Sequence, residues 1–171
     1  GVLAVAPARW PGPGRLGEEP STSVERSGEL QARALNLLFE NGQGPDRAVE
    51  WLRRADPDLV LCGEFTTAWK EGLEPATQAL PHRLLQPQFD AFGVALYSRW
   101  PLSQVTVEAL GPARTPAIRA VVATPSGPIG VLGIHPTPPY FSARHITDRD
   151  GALADVPRLL KETGTFYERD L

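Results

Sequence analysis

Leu59-Val60-Leu61-Cys62-Gly63-Glu64-Phe65-Thr66 is the stretch on which the reading of this chain turns. The short apolar run 59–63 predicts a buried strand. Glu64 stands at its C-terminal end, and Thr66 and Thr67 follow as helix starters. Side chains at strand ends in layered α/β folds are held rigidly while their tips meet solvent, and ligands bind there. A carboxylate in that place is either a metal ligand or a charge favourable to the next helix.

Upstream, Ala32 to Phe39 predicts a first strand with an amide, Asn36, inside an apolar run; a buried amide must find hydrogen-bond partners. Glu40 to Pro45 is turn chemistry. From Asp46, the positions Ala48, Val49, Trp51, Leu52 and Ala55 keep helical spacing until Asp56-Pro57-Asp58 stops them. Strand, helix and strand make a βαβ unit with parallel neighbours.

Downstream, Thr66 to Leu80 predicts an amphipathic helix with Trp69, Leu73, Ala76 and Leu80 on one side, ended by Pro81. His82–Gln88 reads as a short strand, and Phe92–Arg99 as another. Gln104–Ala109 alternates with period two, the mark of a half-exposed strand. Ala117–Ala123 and Ile129–Ile134, joined by a Pro/Gly turn, complete an antiparallel meander. His135-Pro136-Thr137-Pro138-Pro139 leaves the last strand as a rigid loop. A final helix is expected from Thr147 to Glu162, kinked or divided at Pro157.

Composition sets the bounds. The 171 residues, 42% hydrophobic and 22% charged, suit one globular domain. The formal net charge of -3 carries no basic footprint for non-specific nucleic-acid binding. The single cysteine, Cys62, excludes an intrachain disulfide. Residues 7–30, rich in Pro and Gly, predict a linker, so a flexible segment 1–30 precedes a domain at 31–171. Methionine is absent. Gly1 to Trp10 reads either as an unstructured terminus or as the end of a clipped membrane anchor or signal segment, too short to span a bilayer, which takes roughly 20 apolar residues.

Asn36, Glu64 and His135 lie at strand ends or inside apolar strands, and the strand order lets them converge on one rim of a sheet. A carboxylate beside an amide suits a hard cation such as Mg²⁺, and a nearby histidine can stabilise or protonate a phosphoryl oxygen. Each also has a plain alternative: a helix-end charge, a satisfied core amide, a structural histidine. No spacing suits zinc, and no phosphate-binding Gly loop or nucleophile elbow is present.

Taken in order over about residues 31–160, the motifs resemble the endonuclease/exonuclease/phosphatase superfamily of metal-dependent phosphodiesterases. Leu35 to Asn41 is similar to its first motif, an Asn on strand one. Asp56 to Thr66 is similar to the second, with Gly63 in place of the usual Gln before the Glu. Phe92 to Leu102 resembles the Gly-x-Ala-apolar-apolar-Ser-basic-x-Pro strand. Gly133 to Pro139 resembles the His motif in the Pro-rich form of bacterial members, many with membrane-anchoring N-termini.

The resemblance implies an α/β (α+β layered) fold, a partial four-layer αββα sandwich lacking its C-terminal half. It also implies a hydrolase of phosphodiester or phosphomonoester bonds. Glu64 would hold Mg²⁺ or Mn²⁺, Asn36 would orient a ligand or phosphate oxygen, and His135 would contact the phosphoryl group. Substrates would be phosphate esters: nucleic acid, a phospholipid head group or an inositol phosphate. The family's Gly-Asp-apolar-Asn and Ser-Asp-His motifs do not occur in the sequence. The expectation is therefore a fragment of a longer protein, inactive alone, with one sheet short of its partner. The alternative is a non-catalytic binding or scaffold domain. Two locations remain open, a membrane-anchored or extracytoplasmic one and a cytoplasmic one.

Overall fold

In the computed structural model the described residues are 2–7, 30–39, 42, 44–136 and 143–159. They form β1 (Val2–Pro7), β2 (Ala32–Asn36), α1 (Asp46–Ala55), β3 (Leu59–Gly63), α2 (Thr67–Leu73), β4 (His82–Gln86), β5 (Val94–Ser98), β6 (Leu102–Leu110), β7 (Thr115–Thr124), β8 (Gly127–Ile134) and α3 (Ala143–Ala154). The strands make two four-stranded sheets, β2-β3-β5-β4 and β1-β8-β7-β6. β2 and β3 are parallel, as the βαβ reading requires, and every other pairing is antiparallel.

β3 is buried at every residue because it serves two layers. Its alternate side chains Leu59 and Leu61 face the second sheet, packing with Leu96, Ile118, Val122 and Val131. Val60 and Cys62 face the other way, with Leu52 of α1 and Trp69 and Leu73 of α2. On the far side, Leu132 and Ile134 pack with Ala152 and Leu159. The order helices, sheet, sheet, helix is the four-layer αββα arrangement. The sheet expected to lack a partner has one, built from the β6–β8 meander and β1.

Several local expectations change. Residues 2–7, assigned to the flexible segment 1–30, form β1 and pair antiparallel with β8 from Val2↔Ile134 to Pro7↔Ile129. An apolar strand there covers a sheet edge that would otherwise present unpaired backbone groups. The rest of that segment, 8–29, lies outside the described residues. α2 stops at Leu73 because Pro75 cannot continue it, and a 3-10 turn, Glu74–Ala76, follows. Trp51, one of the apolar positions that keep helical spacing, is exposed, since Leu52 takes the centre of the buried stripe of α1. The last helix begins earlier than expected and breaks at Asp155, just before Pro157.

The end of β3 remote from Glu64 is clamped. Asp58 accepts from Arg99 Nε at 2.8 Å and from the Gln31 backbone N–H at 3.1 Å, while Arg99 also bonds Asp56 at 3.0 Å and the Pro57 carbonyl at 3.2 Å. The basic residue after Ser98 is thus structural here. Arg99→Ala removes the charged hydrogen bond from Arg99 Nε to the buried Asp58 and is expected to cost about 1–3 kcal/mol in urea unfolding; an unchanged midpoint would contradict this role.

Candidate functional site

Strict alternation along β3 would send Glu64 toward the helices, on the face of Val60 and Cys62. It does not go there. Glu64 adopts φ 55°, a left-handed conformation unusual for a residue with a side chain. The turn swings its carboxylate back toward the gap between the sheets, and Phe65 takes the helix-facing place instead. Such backbone costs of order 1–3 kcal/mol and persists where its surroundings over-determine it.

The surroundings are specific. Glu64 Oε2 accepts from the Phe39 backbone N–H at 3.1 Å, and Oε1 lies 3.4 Å from His135 Nε2. Both residues are buried, at 6% and 8% exposure. Phe39 is aimed by a second left-handed residue, Leu38, with φ 59°. The N–H of Leu38 donates to Asn36 Oδ1 at 3.2 Å, and its carbonyl accepts from Trp69 Nε1 at 3.3 Å. Thr66 Oγ1 caps α2 by accepting from Trp69 N at 3.3 Å. The helix-capping role open to Glu64 therefore belongs to Thr66.

The three residues singled out from the sequence do share one rim, but it is the rim of the sandwich and not of one sheet. Asn36 pairs in register with Gly63, the residue before Glu64. His135 follows the last residue of β8 in the other sheet. Asn36 was expected to be a buried amide; it is the exposed terminal residue of β2, with its carbonyl committed to the turn that presents Phe39. His82 opens β4 at the level of Leu59, the opposite end, and the His145 side chain and the Pro-rich residues 137–139 lie outside the described residues. Phe39, Leu38 and Trp69 were not legible as site residues, because their contributions come through backbone groups and one indole N–H.

Neither ring nitrogen of His135 makes a hydrogen bond among the described residues. Burial lowers its pKa from the usual 6.5, outweighing the Glu64 carboxylate, which acts in the opposite direction. The sign follows from linkage: with the folded pKa depressed, the unfolded chain takes up the proton first as pH falls. His135 thus adds stability above about pH 6.5 that is lost progressively below it. Urea midpoints measured at pH 7.5 and 5.5 are expected to diverge in the native sequence and to converge in His135→Gln.

At this pair Glu64 Oε1 lies beside His135 Nε2, and both buried ring nitrogens lack a hydrogen bond among the described residues. No cluster of three or more His, Cys, Asp or Glu occurs among the described residues. The donor set therefore fits a hard divalent ion held by one carboxylate and completed by water and phosphate oxygens, and it does not fit an all-protein cage. Beside the rim is a cleft of about 510 Å³ lined by Phe39, Thr66, Thr67, Gln88 and the 90%-exposed Phe89, among others. The Phe89 loop is pinned to the residue after Glu64: Gln88 N–H donates to the Phe65 carbonyl at 3.0 Å, and Phe65 N–H to that of Gly93 at 2.9 Å. No helix among the described residues is long and apolar enough to cross a membrane.

Comparison with known proteins agrees with this layout. The family model described as "Endonuclease/Exonuclease/phosphatase family" matches residues 34–166. Sphingomyelinase C from Streptomyces griseocarneus has a similar fold, with a TM-score of 0.52 at 16% sequence identity; the alignment covers 77% of this chain and 58% of that one. No curated protein sequence matches.

Proposed function

The chain belongs to the endonuclease/exonuclease/phosphatase family of phosphodiesterase-type hydrolases, and from that premise we propose that its rim binds a phosphate ester and a divalent metal ion. The observation that carries the reading is the pairing of a strained, buried Glu64 with His135 across two sheets. Strain of this kind is retained where a site requires it.

In this reading Glu64 holds Mg²⁺ or Mn²⁺ through Oε1, while the Phe39 N–H fixes Oε2. A bound ion supplies charge neutralisation at the phosphoryl oxygens. His135, whose pKa burial lowers, offers a ring N–H to a phosphoryl oxygen, and the low dielectric of its pocket strengthens that bond. Asn36 has its amide N–H group left to orient a phosphate or water oxygen, since its carbonyl is engaged by Leu38. The cleft beside Phe39 and Phe89 receives the organic part of the ester. Its mixed polar and aromatic lining suits a head group or ring better than an acyl chain. The Streptomyces neighbour, a sphingomyelinase C by name, makes a phospholipid head group one candidate.

The residues that would activate water, in the Gly-Asp-apolar-Asn and Ser-Asp-His motifs, are not in this sequence. We therefore propose binding by this chain with little or no turnover on its own. Titration with Mn²⁺ and inorganic phosphate, together with hydrolysis of bis-p-nitrophenyl phosphate, tests both halves. Saturable ion binding with background hydrolysis is the expected pair of results. Robust turnover lost in Glu64→Ala would show that the absent motifs are dispensable. Failure to bind either probe would return the chain to a non-catalytic scaffold.

A further inference from the structure

The two sheets meet through a reciprocal exchange of large and absent side chains. On β3 the residues facing the second sheet are Leu59, Leu61 and then Gly63. On the facing strand β8 they are Val131, then Gly133, with His135 just beyond the strand. Leu61 fills the space at Gly133, where an added Cβ would lie 2.6 Å from Leu61 Cδ1. One step along, the roles reverse: an added Cβ on Gly63 would overlap Cγ and Nδ1 of the His135 ring and sit 3.0 Å from its Cβ. The imidazole therefore lies directly on the backbone of β3.

We propose that Gly63 is the positioning residue for His135. Its missing side chain is the notch that lets the ring cross between the sheets and bring Nε2 to Glu64. The Leu61–Gly133 contact sets the register of the two sheets one step earlier, so the two notches act in series. Gly63 has no left-handed backbone to preserve, as its φ lies outside that region. An alanine there is intrinsically acceptable to a strand, and the ring alone opposes it. The proposal rests on the reading of Glu64 and His135 as one site.

The test is a double-mutant cycle between Gly63→Ala and His135→Ala, read by urea unfolding. In the native background Gly63→Ala should raise the unfolding equilibrium constant about tenfold or more, as overpacking does. In the His135→Ala background the same change should be neutral or slightly stabilising. Equal losses in both backgrounds would overturn the proposal. A readout independent of stability is the ring resonances of His135: Glu64→Gln should move them in the native sequence and leave them unmoved in Gly63→Ala. If the response persists in Gly63→Ala, the glycine does not position the ring. Neither measurement needs turnover or a metal, so a failure of Mn²⁺ to bind would count against the proposed function and not against this seating.

Discussion

Glu64→Gln is expected to weaken Mn²⁺ binding at least tenfold while leaving the thermal midpoint within about 2–4 °C of the native value. The two halves of this result have separate causes. Glutamine keeps the length of the side chain and an oxygen able to accept from the Phe39 N–H, so the bond at 3.1 Å survives. The contact with His135 also remains sterically possible. What disappears is the negative charge, and no cluster of three or more His, Cys, Asp or Glu among the described residues stands ready to replace it. Any hydrolysis the chain shows should fall roughly 10³-fold with it, because metal assistance is worth several kcal/mol of barrier. Isothermal titration with Mn²⁺ in the presence of phosphate reads the first effect, and initial rates with bis-p-nitrophenyl phosphate the second. A variant that binds the ion as tightly as the native chain would remove Glu64 from the site.

Much of the fold around this candidate site was legible in the sequence, and the limits have identifiable physical origins. β3, β5 and the meander were readable because each is a short apolar or alternating run between Gly, Pro and Asp turns. The grouping of Asn36, Glu64 and His135 followed from their places at strand ends. Which sheet each strand joins was not readable, because pairing is a long-range choice that local pattern does not encode. So His135 was expected on the rim of Glu64's own sheet, and it arrives from the other one. β1 was hidden by length: six residues beside a Pro/Gly tract look like the start of a linker. The left-handed turn at Glu64 had no signal either, since glutamate is not a residue that favours it. Gly63 was visible as a departure from the family pattern, but its meaning needed the second sheet.

The glycine of the Phe92–Leu102 motif is the clearest case of a sequence feature whose reason appears only in three dimensions, and its replacement should be the most damaging change to stability proposed for this fold. A Cβ on Gly93 would overlap the Phe65 carbonyl oxygen, 2.8 Å from its carbon and 2.9 Å from Gln88 N. These are backbone atoms, so no side chain can rotate away. Phe65 is held from both sides, by Gly93 O on its own N–H and by Gln88 N–H on its carbonyl, and its ring packs edge-on against Tyr97 at 6.2 Å between centroids. Gly93→Ala must therefore push apart β5 and the segment carrying Glu64, at the upper end of the 1–3 kcal/mol typical of overpacking or about that. Gly42→Ala is the control, since an added Cβ there meets nothing within 4 Å among the described residues and should stay within about 0.5 kcal/mol. Displacing Phe65 also moves its neighbour Glu64, so Mn²⁺ affinity should fall in Gly93→Ala under conditions where the protein is still folded. Equal urea midpoints for the two variants would mean that the Phe65–Gly93 contact is loose, and that the Phe89 loop is not what holds Glu64 at the rim.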